Sequence, residues 1–191
     1  MAVWLNIFGQ NKISTDITDI QKYWDKIIPS ISIDLLFLKD SLDDSSDKGL
    51  VRKDYYTYDK KYWEIQAFNI EGNEHICFSY PIFCDDIAKT DCIKVIFYND
   101  IISVLGLFDH FHLWFKMTSS KTLREGYGKI VNEIFKSFKS PFAIYCTEWD
   151  EEGDLSFMEI YKYCIDNQTN QAEKLELMNM NEFFIVKYSD N

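Results

Sequence analysis

Short stretches of alternating apolar and polar residues recur along this chain, and they constrain its fold more than any other feature. The clearest example spans residues 55–83, where stretches at 62–68 and 75–80 flank a turn at Glu71-Gly72-Asn73. Alternation places every second side chain on one face of a strand, and Gly and Asn readily adopt the backbone angles of a hairpin turn. This part of the chain is therefore predicted to form antiparallel sheet.

Similar patterns predict strands elsewhere. Between residues 111 and 117, Phe111, Leu113, Phe115 and Met117 share one parity, so a strand would place all four on one face. The stretch 31–38 begins with alternation and ends in a continuous apolar run, which fits a strand that becomes fully buried. The remaining predicted strands are 55–58, 93–98, 142–147 and 183–188.

Three segments have the spacing of amphipathic helices. Residues 16–28 place apolar side chains three and four apart, and Pro29 is expected to end this helix. A longer stripe predicts a helix over residues 120–139, which Gly126 and Gly128 weaken by about 1 kcal/mol each relative to alanine. A third helix is predicted at residues 155–165, and the Asn- and Gln-rich stretch 166–174 after it is expected to be an exposed connection.

Together these elements predict an α+β fold. We expect a single domain over residues 1–191, in which two to four helices pack on one face of a mostly antiparallel sheet of about six or seven strands. A predicted strand, helix and strand follow one another between residues 111 and 147. Because a crossover helix permits parallel pairing, one sheet edge in this region could be parallel.

Charge narrows the partners that such a domain can bind. The chain has 20 basic and 31 acidic side chains, a net charge of −11, yet its 47% hydrophobic and 17% aromatic content can fill a core. This composition excludes a disordered acidic tail. A strongly negative surface repels nucleic acids and anionic membranes, so we expect neither as a partner and expect a cationic partner instead.

The N-terminal residues and the cysteines indicate a cytoplasmic protein. The chain starts without the basic region or cleavage site of a signal peptide, and its longest apolar stretch, 101–108, is too short for a membrane helix. Its five cysteines are odd in number and widely spaced, which favours buried free thiols. Cys84 and Cys146 stand beside carboxylates, so neither is expected to be an activated nucleophile.

Two acidic segments are the main candidates for contact with a cationic partner. The first, residues 39–49, reads as a solvated loop with Asp40, Asp43, Asp44 and Asp47. The second directly follows a predicted strand, and its candidate residues are Glu148, Trp149, Asp150, Glu151, Glu152 and Asp154. The position of Gly153 does not fit a calcium-binding loop. A solvated turn that caps the following helix is the alternative reading of the second segment.

Aromatic residues cluster beside the first acidic segment. Tyr56, Tyr58 and Trp63 stand among lysines, and they could anchor a protein partner because Tyr and Trp are enriched where interfaces carry most of their binding energy. Cross-strand pairing of these rings within a hairpin is the alternative.

The sharpest candidate for metal binding is His110-Phe111-His112. Two residues apart on a strand, both imidazoles point the same way and could share a Zn²⁺ ion with His75 or Asp109 as a third ligand. The alternative to metal binding is that His110 and His112 belong to the partly exposed polar face of a strand. If metal does bind, a metal-assisted hydrolase becomes the alternative function.

These observations favour a binding module over an enzyme. The chain has no nucleophile-elbow motif and no phosphate-cradling glycine loop, and we expect no cofactor. The most concrete hypothesis is an immunity-type inhibitor, which neutralises a basic toxin such as a nuclease through acidic loops and aromatic anchors. A regulatory or structural protein with a non-basic partner is a further alternative.

Overall fold

The structure is a computed structural model that describes residues 5–43, 64–70, 73–84, 88–106, 121–147, 157–179 and 182–189. These residues form an α+β fold, as predicted. Its strands are β1 Leu5–Gln10, β2 Glu64–Ile70, β3 Asn73–Cys84, β4 Ala88–Tyr98, β5 Ile101–Gly106, β6 Phe142–Thr147 and β7 Phe183–Lys187. Its helices are α1 Ile17–Asp43, α2 Lys121–Ser137 and α3 Phe157–Asp166, with short 3₁₀ turns at Gln168–Asn170 and Leu175–Leu177.

All seven strands belong to one sheet in the order β2-β3-β4-β5-β1-β6-β7. Every neighbouring pair is antiparallel. The expectation of a parallel edge between residues 111 and 147 is wrong for its described part, because β6 runs antiparallel to both β1 and β7. The predicted strands at 55–58 and 111–117 lie outside the described residues.

The sequence patterns predicted neither β1 nor β5 as a strand. β1 lies in the interior of the sheet, with β5 on one side and β6 on the other. Leu5 and Ile7 point to one face of the sheet and Phe8 to the other, and all three are buried, so the strand shows no simple alternation of apolar and polar residues. β5 follows a turn at Asn99-Asp100, where Asn99 has a positive φ of 49°, a backbone angle that asparagine tolerates.

Helices α1 and α2 pack together on one face of the sheet, here called the helix-pair face. Trp24 of α1 stacks on Phe78 of β3 with ring centroids 4.5 Å apart, and Phe138 packs against Phe97 of β4 at 4.7 Å. The predicted stripe of α2 is confirmed. Its fully buried members are Tyr127, Ile130, Val131, Ile134 and Phe135.

Helix α3 packs on the opposite face of the sheet, here called the α3 face. Its Ile160 and Cys164 are buried with Phe8 of β1, Ile144 of β6 and Phe183 of β7. The expectation that all helices share one face is therefore wrong. β6 is buried on both faces, and Phe8 of β1 and Phe183 of β7 point away from the helix pair, so these strands need cover on two sides.

Helix α1 replaces three predicted elements. It continues through Pro29 and the predicted strand at 31–38 as far as Asp43, so its last residues occupy the beginning of the predicted loop at 39–49. Pro29 itself is exposed, whereas Ile27, Ile28 and Ile31 are buried against the sheet. A helical stripe thus spans the proline, and its burial offsets the hydrogen bond that proline cannot form.

The helices of the described residues include none that is long and apolar enough to cross a membrane.

Candidate functional site

The candidate site residues divide sharply between described and undescribed parts of the chain. Asp40 and Asp43 belong to the C-terminal end of α1 rather than to the predicted loop. The other candidates for partner binding lie outside the described residues: Asp44, Asp47, Tyr56, Tyr58, Trp63, Glu148, Trp149, Asp150, Glu151, Glu152 and Asp154. So do the metal candidates His110 and His112, together with Asp109.

At one end of the sheet, strands β5 and β6 end, and the sequence continues from them into two of these candidate segments. Leu105 near the end of β5 and Cys146 near the end of β6 both pair with Asn6 of β1. Two interstrand spacings separate them, which is roughly 10 Å. We call this end of the sheet the β5–β6 end. The chain continues from Gly106 towards His110 and His112, and from Thr147 directly into the acidic segment 148–154.

Glu182, which the sequence analysis did not single out, also lies at the β5–β6 end. The Thr147 backbone N–H donates to the Glu182 carbonyl at 3.5 Å, just before β7 begins. The Glu182 carboxylate accepts the backbone N–H of Asn179 at 2.8 Å and the Asn179 side-chain amide at 3.2 Å. This carboxylate therefore closes a local turn, which no spacing in the sequence indicated.

The opposite end of the sheet holds a network of polar contacts that fixes the start of α1. The Asn11 side-chain amide donates to the Ser14 carbonyl at 2.6 Å, and its oxygen accepts the N–H of Ile13 at 3.1 Å. Asp16 then accepts the N–H of Asp19 at 3.1 Å, as expected of a residue that caps a helix. These groups satisfy backbone and capping bonds, so they serve the fold.

Charge is unevenly distributed over the described surface. Helix α2 and the turn after it carry a basic set, Lys121, Arg124, Lys129, Lys136 and Lys139, against Glu125 and Glu133. Lys121 and Glu125 form an exposed ion pair at 3.7 Å. Because the whole chain has a net charge of −11, its acidic excess lies on surfaces other than α2.

Two buried polar side chains lie on the α3 face of the sheet, on the neighbouring strands β1 and β5. Asn6 of β1 is 5% exposed and Ser103 of β5 is 0% exposed. Among the described residues, no group forms a hydrogen bond with Asn6 Oδ1 or Ser103 Oγ. Buried polar atoms normally find partners, so these two oxygens are exceptions to the usual pattern. No sequence pattern indicated these two residues, because they lie near each other only through the pairing of β1 with β5.

His75, the proposed third metal ligand, lies on β3 at the far side of the same face. It is buried, with its ring centroid 4.8 Å from that of Tyr98. Burial, with a smaller contribution from Cys77, raises the pKa of Tyr98 to about 12. Within the described ranges, no three His, Cys, Asp or Glu side chains are grouped so that they could hold a metal ion. The metal hypothesis thus depends on residues outside those ranges.

No protein-family model, curated protein or solved structure matches this chain.

Proposed function

We propose that this protein is a binding module for a basic protein, and most concretely an immunity-type inhibitor of a basic toxin. The observation that carries the proposal is the separation of charge. Helix α2 is net positive, with four basic side chains against Glu125 and Glu133, whereas Thr147 at the β5–β6 end leads directly into the acidic segment 148–154. An acidic segment that follows a fixed strand end, on a chain of net charge −11, can attract and orient a cationic partner.

The sheet supports this proposal because it fixes Thr147, the strand end after which the acidic segment follows in the sequence. Thr147 is fully buried, and β6 pairs on both sides, with β1 and β7. A binding segment that begins from a rigid strand end loses less conformational entropy on association than one that begins from a mobile connection. Carboxylates presented in this way suit a toxin whose own site is built to hold polyphosphate.

The first experiment is affinity capture of the tagged protein from lysate of its native source, at low and at moderate salt, with mass spectrometry of the bound proteins. The proposal expects a stoichiometric basic protein that is released as salt rises, because salt screens surface charges over about 10 Å at 0.1 M. A partner without basic character would instead support the regulatory alternative.

A charge-reversal pair then tests which end of the molecule binds. Asp150→Lys is expected to slow association with the captured partner by roughly tenfold at low salt and to change dissociation little. Asp100→Lys is the matched control, because it makes the same charge change in an exposed turn at the opposite end of β5, roughly 20 Å from Gly106. Equal slowing by the two variants would show that only net charge matters and would refute the proposed binding end.

A further inference from the structure

Two cysteines from different elements meet inside the core under α3. Cys146 belongs to β6 and Cys164 to α3, and both side chains are 0% exposed. Their thiols are within hydrogen-bonding contact and are not joined by a disulfide. They lie in the apolar cluster that holds α3 to the sheet, together with Phe8, Ile144 and Ile160. Sequence spacing gave no sign of this pair, because 18 positions separate the two residues along the chain.

We propose that Cys146 and Cys164 are a redox pair whose oxidation forms an intramolecular disulfide that fastens α3 to the sheet. The co-reactant is a low-molecular-weight disulfide. One protein thiolate attacks a sulfur of this reagent, breaks its S–S bond and releases one small thiol. The second protein thiolate then attacks the resulting mixed disulfide, forms the Cys146–Cys164 bond and releases the second small thiol. Two electrons pass to the reagent, and the two protein thiol protons end on the two released thiols.

Burial controls when this exchange can occur. The apolar surroundings, and then the contact with Cys164, raise the pKa of the Cys146 thiol well above its ordinary value. The reactive thiolate is therefore scarce while α3 is packed. The reagent reaches the pair when α3 separates from the sheet, so the oxidation rate reports local opening of this helix rather than the chemistry of an exposed thiol.

A disulfide between Cys146 and Cys164 would restrain α3. α3 is a short helix of 10 residues that is held to the sheet by a small cluster, in which Ile160 and Cys164 are its buried members. A covalent link at Cys164 would remove its freedom to detach. Closing the loop between β6 and α3 restricts the unfolded chain as well, which is expected to raise Tm by roughly 5–10 °C.

The test is incubation of the reduced, full-length protein with oxidised glutathione, followed by alkylation of the remaining thiols and peptide mapping. We expect a linked peptide pair containing Cys146 and Cys164, with the loss of two hydrogens and a raised Tm. The control variant is Cys77→Ser, which removes another buried thiol on the α3 face and should leave the link unchanged. Cys164→Ser should abolish the link.

Three results would overturn the proposal. One is a protein that keeps both thiols free in excess oxidised glutathione, even in a low concentration of urea that opens α3. Another is a link that joins Cys146 or Cys164 to Cys77, Cys84 or Cys92 instead. The last is the expected link accompanied by a lower Tm, since the bond would then strain α3 rather than fasten it. Peptide mapping of the wild-type chain decides the first two, so the test does not depend on the variants folding.

Discussion

Gly9 shows how closely the centre of the sheet is packed. It lies on β1, where an added Cβ would come within 3.0 Å of two ring atoms of Phe135 and of the Ser140 hydroxyl oxygen. Ser140 is itself held in place, because its hydroxyl accepts the Gln10 N–H at 2.9 Å and donates to the Phe142 carbonyl at 2.6 Å. Neither neighbour can move aside without loss.

We therefore predict that Gly9→Ala lowers the free energy of unfolding by about 1–3 kcal/mol through overpacking. Gly128→Ala on α2 is the matched control, because nothing lies within 4 Å of the Cβ that it would add. That variant should raise stability by about 0.5–1 kcal/mol through helix propensity. Urea unfolding of the two variants measures both effects, and a neutral Gly9→Ala would show that Phe135 and Ser140 can relax.

At the scale of single elements, a local sequence signal and tertiary packing oppose each other in helix α1. Pro29 interrupts its hydrogen bonding, because proline has no N–H to donate to the carbonyl of Asp25 one turn earlier. Burial of Trp24, Ile28 and Ile31 on the sheet holds the helix together across this gap. Packing thus overrides a local signal that normally ends a helix.

Pro29→Ala should restore the missing hydrogen bond and raise the free energy of unfolding by up to about 3 kcal/mol. Ser30→Ala is its control, since this exposed neighbour already has an N–H and should gain only a few tenths of a kcal/mol. Chemical denaturation of both variants gives the comparison. Destabilisation by Pro29→Ala would indicate that α1 needs the proline to follow the curvature of the sheet.

At the scale of the whole molecule, buried tyrosines make the fold sensitive to alkali. Burial raises the pKa of Tyr98 to about 12 and raises the pKa of Tyr145, Tyr161 and Tyr188 as well. Tyrosine in the unfolded chain ionises near pH 10. Above that pH the unfolded state binds fewer protons than the native state, so stability falls as pH rises.

We predict that the free energy of unfolding is unaffected by these tyrosines below about pH 9 and falls between about pH 10 and pH 12. Urea unfolding across this range measures the slope. Tyr98→Phe removes one of the titrating groups and should make the slope shallower between pH 10 and pH 12. A slope that Tyr98→Phe leaves unchanged would contradict the assigned role of Tyr98.

The sequence by itself determined the fold class, most of the sheet and the extent of α2. Period-two patterns located β2, β3, β4, β6 and β7, and a helical stripe located α2 within two residues of each end. Helix α2 has one buried face and one exposed face, so its periodicity can be read from the order of its residues. Net charge likewise depends on composition alone, and it led to the hypothesis of a basic partner.

Only the tertiary structure decided the course of α1, the place of β1 and the cover on both sheet faces. The run 31–38 is compatible with helix or strand, and the structure continues α1 through it, with Ile31 buried on the helix-pair face. β1 has a buried apolar residue on each face, Ile7 on the helix-pair face and Phe8 on the α3 face, so its sequence lacks a simple period. The meeting of Cys146 with Cys164, and of the β5 and β6 ends, depends on residues far apart in the chain, which local patterns do not encode.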